Sequence, residues 1–273
     1  MPELPEVETV KETLKKKILK QKIIDIKVLY PEMIEYPDVL TFKKEIINQT
    51  INDIKRRGKW LIFELDNYYL LSHLRMEGKY NIKTNESINK HEHVIFYFKD
   101  FNLRYQDTRK FGRMYLYKKE EAFSNKPLNA LGYEPWDDKL DIDYLKGKYK
   151  KITKPIKEVL LDQSIIVGIG NIYADEILFL SKINPYKKPN ELDNNELNDI
   201  IKNTRYVLEC AIKKGGTTIR TYTSSEGVHG RFQQDLLVHN QEYCKKCNSK
   251  IEVVRIGGRS TYYCPNCQKN CQK

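Results

Sequence analysis

Four of the six cysteines fall in the pattern Cys244-x2-Cys247-x16-Cys264-x2-Cys267. Two such knuckles bring four thiolates to the corners of one tetrahedron, the coordination that Zn²⁺ takes in closed structural sites. Four thiolates complete the shell, so a single zinc held there would stabilise a small hairpin and leave no open position for catalysis. On this reading His229 and His239 are not ligands. Between the knuckles runs the basic glycine turn Arg255-Ile256-Gly257-Gly258-Arg259-Ser260. Read by itself the turn is best taken as a solvated hairpin tip, the alternative being that it sets Arg259 against a phosphate.

A second chemistry sits at the other end of the chain. Pro2 follows the initiator Met1, and a small second residue favours removal of that methionine. The product begins with a secondary amine, which titrates near about 8 and is partly unprotonated at neutral pH, a usable nucleophile toward an electrophilic carbon. Glu3 and Glu6 stand beside it, and a carboxyl so placed can deliver or accept a proton. Pro2 and Pro5 also suit a rigid helix start with acids at its positive end. On these residues alone the rigid helix start is the favoured reading.

The elements that must position these groups follow from pattern. Val7, Val10, Leu14 and Ile18 recur at helical spacing between acidic and lysine-rich flanks, giving one amphipathic helix at the N-terminus. From about 23 to 118, short β-branched and aromatic runs at 23–30, 60–65, 68–74, 94–98 and 114–117 alternate with turn signals, which predicts an antiparallel sandwich or barrel. The polar stretch 120–143, with Pro127 and Pro135, reads as a linker. Beyond it, helices are expected over 156–163, over 171–183 after the glycine turn at 167–170, and from an Asp193 cap to the Gly215-Gly216 stop. Cys210 falls on the apolar side of this last helix, and Cys271 has no role in the pattern.

Size and charge bound the function. A chain of 273 residues exceeds one average domain. Lys and Arg outnumber Asp and Glu by 48 to 37, a net charge of +11 that points to a polyanionic partner. The absence of a bilayer-length apolar run and of a basic, apolar leader places the protein in the cytoplasm, away from membranes.

The opening Pro2-Glu3-Leu4-Pro5-Glu6-Val7-Glu8-Thr9 resembles the signature of the formamidopyrimidine-DNA glycosylases, bacterial enzymes that remove 8-oxoguanine and ring-opened purines. Four more stretches match the family in the same order: Arg57-Gly58-Lys59-Trp60-Leu61, His73-Leu74-Arg75-Met76-Glu77-Gly78, Asp107-Thr108-Arg109-Lys110-Phe111-Gly112 and Val167-Gly168-Ile169-Gly170-Asn171-Ile172-Tyr173-Ala174-Asp175-Glu176. With the cysteine module, the resemblance spans essentially the whole chain. It departs at Thr108, where many relatives have proline, and at Lys110, where many have arginine.

The resemblance implies that Pro2 attacks the sugar C1′, displaces the damaged base and forms a Schiff base through which the strand is cut by β- and δ-elimination. Glu3 then moves protons around the sugar, Lys59 serves the β-elimination and Arg259 the δ-elimination. Met76, Arg109 and Phe111 fill the gap left by the extruded nucleotide, a task suited to an adaptable thioether, an aromatic wedge and a guanidinium for the orphaned base. Asn171 contacts phosphate at a helix N-terminus, and His91 and, on a more ambiguous match among neighbouring lysines, Lys151 are further phosphate contacts. The stretch 217–232 lies where the family has its lesion-recognition loop.

The expected fold is α+β and multidomain: an N-terminal antiparallel β-sandwich with a flanking helix (1–130), a helical helix-two-turn-helix domain (131–235) and a four-cysteine zinc-finger hairpin (236–273). The expected protein is a bifunctional DNA glycosylase and AP lyase for oxidised purines in base excision repair, with one structural Zn²⁺, acting as a monomer on double-stranded DNA at the nucleoid. Two alternatives stand beside it. One is an endonuclease VIII-type glycosylase for oxidised pyrimidines, which the residues from Leu4 to Thr9 disfavour. The other is a non-catalytic zinc-ribbon DNA-binding protein on the same scaffold.

Overall fold

The computed structural model describes residues 1–217 and 230–269. Most of the expected recognition loop, together with His229 and Cys271, therefore lies outside the described residues. The chain divides into two compact units, Met1–Ala130 with Thr217–Gly230, and Leu131–Gly216 with Arg231–Lys273.

In the first unit, α1 (Leu4–Ile18) starts at the N-cap Glu3, carries Glu6 in its first turn and Lys15, Lys16 and Lys17 in its last. Acids at the positive end and cations at the negative end both favour the helix. Its stripe of Val7, Val10, Leu14 and Ile18 is buried, as the spacing predicts. A four-stranded sheet has the order β1 (Asp25–Val28), β7 (Glu92–Tyr97), β8 (Asn102–Gln106), β6 (Lys79–Lys83). A five-stranded sheet has the order β2 (Ile34–Tyr36), β9 (Arg113–Lys118), β5 (Tyr68–His73), β4 (Trp60–Glu64), β3 (Asp53–Arg57). One core joins Phe96, Leu103 and Tyr105 of the first sheet to Leu61, Phe63, Leu70 and Leu116 of the second and to the α1 stripe, which makes the unit a sandwich with a flanking helix.

Strands β3, β6 and β8 fall outside the expected runs, and two further features depart from the expected pattern. The short edge strand β2 runs parallel to β9. A second helix, α2 (Val39–Ile46), is capped by Asp38 and buries only Phe42 and Ile46, too few apolar positions to announce itself.

The second unit holds α3 (Ile142–Tyr149), α4 (Ile156–Val159), α5 (Asn171–Leu180), α6 (Asn194–Lys213) and the antiparallel hairpin β10 (Glu252–Ile256) and β11 (Arg259–Tyr263). Helix α3 begins inside the stretch expected as linker, nucleated by the Asp141 side chain on the N–H of Tyr144. α4 is a single turn that passes into tight turns by Asp162, shorter than its pattern suggests. α6 behaves as read: an Asp193 and Glu196 capping box starts it, and Gly215 and Gly216, both at positive φ, turn the chain out of it. Cys210 is half-buried there. Among the described residues no helix is long and apolar enough to cross a membrane.

Candidate active site and nucleic-acid interface

Pro2, Glu3 and Glu6 are all buried at the start of α1. The N–H of Glu3 donates to Glu6 Oε2 at 2.8 Å, and Glu6 Oε1 accepts the N–H of Thr217 at 2.8 Å and its hydroxyl at 3.2 Å. Glu6, a candidate proton carrier on sequence, is thus engaged by both oxygens in tying Thr217 to the helix start. Burial pulls the terminal amine of Met1 below its ordinary value, against the carboxylates of Glu3 and Glu6, while Lys59 lowers it further. Lys59 is itself buried. It occupies the two-residue turn between β3 and β4, where Arg57 pairs with Trp60 and Gly58 takes φ 56°. Glycine at the first central position is the type II′ arrangement, which matches the twist of the strands and sets the lysine at a fixed corner.

Next to Lys59 in the sheet lies His73, paired with Trp60 across the strands and meeting its ring edge-on at 4.7 Å. Burial, with Arg75 and Lys59 nearby, holds the His73 imidazole well below its usual value. Its Nδ1 accepts the N–H of Arg75 at 2.9 Å, which starts the 74–78 loop. Arg75 then takes the left-handed φ of 54° and Met76 stands 36% exposed.

The 107–112 loop is built on one carboxylate. Asp107 is fully buried and accepts the N–H groups of Arg109 (3.0 Å), Phe111 (2.9 Å) and Gly112 (2.8 Å). Its own N–H donates to the His91 carbonyl at 2.9 Å, and its carbonyl lies 2.7 Å from His93 Nε2. This places half-buried His91 beside the loop. Phe111 is 46% exposed and Arg109 stacks over its ring at 4.7 Å, a cation–π pair at the tip. Asp107 stands in a quoted motif, yet nothing in the motif marks it as the loop's organiser.

The two loops belong together. β5 pairs with β9 up to His73 and Arg113, and β6 pairs with β8 from Lys79 and Gln106. Both loops therefore cross between the same two sheets at the same end, and Met76, Arg109 and Phe111 share that end.

In the second unit, Gly170 caps α5 and Asn171 is its first residue, after Gly168 at φ 93°. Asn171 Nδ2 donates to the Ser260 carbonyl at 2.8 Å, next to Arg259 on the hairpin. The β10–β11 turn carries Gly257 and Gly258 at φ 54° and 77°, the type I′ pattern, and a Cβ on Gly257 would stand 3.0 Å from the Glu158 side chain. Arg259 is exposed at the tip. Exposed Lys151 lines one shallow groove with Lys154 and Glu158. The structure thus gathers Asn171, Arg259 and the surroundings of Lys151 on connected elements of this unit.

Beneath them is a network that sequence reading missed. Buried Lys157 donates to the Asn171 carbonyl at 2.8 Å and pairs with buried Asp175, whose Oδ2 lies 2.6 Å from His239 Nδ1. Glu176 accepts the N–H groups of Leu237, Val238 and His239 at 2.8–3.0 Å, and burial raises its carboxyl above the ordinary value despite them. These partners are separated by up to 64 residues, so no local signal announces them.

The sulfurs of Cys244, Cys247, Cys264 and Cys267 all lie within 4.8 Å of one another, with Cys244 and Cys267 at 3.8 Å and Cys247 and Cys264 at 3.4 Å. A tetrahedron with Zn–S bonds of about 2.3 Å requires S···S separations of about 3.8 Å, so the residues fit one zinc ion. His239 faces Asp175, not the thiolates.

Three family models match the chain: the formamidopyrimidine-DNA glycosylase N-terminal domain over residues 1–114, the formamidopyrimidine-DNA glycosylase H2TH domain over 131–223, and a zinc finger found in FPG and IleRS over 241–270. The formamidopyrimidine-DNA glycosylase of Oceanobacillus iheyensis is 47% identical, covering 100% of this chain and 99% of the relative. That of Bacillus cereus is 46% identical, covering 98% and 99%. A Lactococcus lactis FPG mutant in complex with Fapy-dG DNA superposes with a TM-score of 0.93 at 41% identity, covering 98% of this chain and 100% of that one. The complex of the Lactococcus lactis Fpg with abasic-site DNA gives 0.91 at 40%, with the same coverage. With whole-length relatives above 45% identity, the chain belongs to the formamidopyrimidine-DNA glycosylase family, the glycosylases and AP lyases of base excision repair.

Proposed function

We propose that this protein excises oxidised purines such as 8-oxoguanine and formamidopyrimidines from double-stranded DNA and cuts the strand through a Schiff base on Pro2. The observation that carries this reading is the start of α1, where Pro2, Glu3 and Glu6 are buried and the two carboxylates and buried Lys59 all act on the terminal amine. Removal of Met1 exposes the Pro2 nitrogen within the same surroundings. Its lone pair attacks C1′, the glycosidic bond breaks, and the base leaves with the bonding electrons and a proton. The amine, once joined to C1′, expels the ring oxygen: the C1′–O4′ bond breaks, O4′ takes a proton, and the opened sugar is left as a cationic iminium, an electron sink for loss of the C2′ proton and expulsion of the 3′ phosphate. Expulsion of the 5′ phosphate follows.

In this reading Glu3 moves protons about the sugar, Lys59 serves the first elimination and Arg259 the second. Glu6 is assigned a supporting part, since its oxygens hold Glu3 and Thr217. Met76, Arg109 and Phe111 occupy the gap, and His91, Lys151 and Asn171 contact phosphate. Ser260 uses one hydrogen of the Asn171 amide, and the second is available to a phosphate oxygen. Cys244, Cys247, Cys264 and Cys267 would hold one Zn²⁺, which shapes the hairpin bearing Arg259. The work divides among a catalytic region at 1–130, a helix-two-turn-helix region at 131–235 and a zinc finger at 236–273. The protein acts as a monomer, in the cytoplasm at the nucleoid, and its net charge of +11 supports a DNA partner.

Borohydride trapping tests the proposal. With an 8-oxoguanine:C duplex, wild type is expected to form a covalent adduct whose mass shows Pro2 as first residue, and Pro2→Gly to form markedly less. No adduct from fully processed protein, or equal trapping by Pro2→Gly, overturns the nucleophile. Greater trapping on thymine glycol than on 8-oxoguanine overturns the substrate.

A further inference from the structure

The 74–78 and 107–112 loops meet at a side chain that the mechanism does not use. Tyr105, on β8, is fully buried, with its ring against Tyr80 at 5.2 Å. A Cβ built on Gly78 would stand 2.1 Å from the Tyr105 hydroxyl oxygen, and one on Gly112 would stand 1.8 Å from the same atom. The hydroxyl also reaches the His73 carbonyl, at 3.5 Å, where the first loop begins. One phenol oxygen therefore touches the main chain of both loops, and only glycine at 78 and at 112 leaves room for it. Tyr80 packs against the ring and donates its own hydroxyl to Ser72 at 2.7 Å, so an anchored side chain backs Tyr105.

We propose that Tyr105 is a positioning residue that makes the two loops move as one, so that Met76, Arg109 and Phe111 enter the DNA gap together. In close-packed interiors a rigid body touching two segments passes the displacement of one to the other. The inference rests on the reading of those three side chains as gap fillers. It goes beyond that reading in naming the element that couples them.

A double-mutant cycle tests it, because coupling is what a merely structural role would not produce. Single-turnover excision of 8-oxoguanine opposite cytosine is measured for Met76→Ala, Phe111→Ala and both together, first in the wild-type background and then with Tyr105→Phe. In the wild-type background the double substitution is expected to lose about fivefold less than the product of the single losses; in Tyr105→Phe the losses multiply to within about twofold. Gly112→Ala, whose nearest obstacles are all Tyr105 atoms, supplies a second background and is expected to abolish the coupling likewise. Thermal melting and zinc content identify any background that has not folded. Independent losses in the wild-type background, or coupling that survives both substitutions, overturn the proposal. A wild type that excises no 8-oxoguanine overturns the gap-filling reading itself, a distinct outcome.

Discussion

The 107–112 loop and the zinc hairpin both carry an arginine on a tip, Arg109 and Arg259, but they are held by different physics. The loop grows from a sandwich with a large core, and one buried carboxylate plus one tyrosine hold it. The hairpin draws on a small cluster of Phe179, Val238, Cys244, Ile251 and Cys264, in which two of the five members are themselves zinc-type ligands. A strand pair with so little apolar area is marginal in water, and metal coordination supplies what the core lacks. Where apolar burial is abundant a loop can be shaped by hydrogen bonds; where it is scarce, the shape depends on an ion.

Removing the ion is the strongest way to break this comparison. Chelation, or Cys264→Ser, is expected to lower DNA affinity by about a hundredfold or more through collapse of the hairpin. Amide exchange in β4 and β5 should stay slow, and fast exchange there, or an intact binding curve in metal-free protein, would count against it. The converse change is Asp107→Ala, which leaves three N–H groups without their acceptor and should destabilise the protein by about 3 kcal/mol. Denaturant unfolding measures the loss, and zinc content should not change; a cost under about 1 kcal/mol would show that water replaces the carboxylate.

The smallest expected effect sharpens the comparison through pH. An unfolded imidazole takes up a proton near about 6.5, whereas buried His73 takes it up only at lower pH. Between those values the unfolded chain binds more protons, so the contribution is complete above 6.5 and is lost as pH falls, by at most about 1.4 kcal/mol per pH unit. His73→Asn, which keeps an acceptor but does not titrate, should flatten unfolding stability between pH 5 and 6.5. Equal slopes for the two proteins would remove His73 from the account.

Local signals were read where the physics is local. The α1 stripe, the α6 caps and the knuckle spacing all emerge as written, because each depends on residues within a turn or two. β3 is written Asp-Ile-Lys-Arg-Arg and carries little strand signal; it exists because β4 offers it a partner edge and the core takes Ile54. α3 hides in a polar stretch for the same reason, with only Leu145 and Tyr149 buried. In the site, the spacing of the four cysteines announces their chemistry, whereas Pro2, Glu3 and Lys59 are legible only through the family's motifs. The commitment of Glu6 to Thr217 could not be read, since a span of 211 residues separates the partners.

From the order of its residues alone, this chain displays its candidate groups: Pro2 beside two carboxyls, thiolates in zinc spacing and a basic surplus for a polyanion. Side-chain type sets intrinsic reactivity, and type is visible in one dimension. Folding assigned the supporting parts, turning Asp107 into a three-fold acceptor, Glu6 into a tie and Tyr105 into a post between two glycines. Those roles arise from burial and from contacts between distant segments, which exist only once the chain has closed on itself.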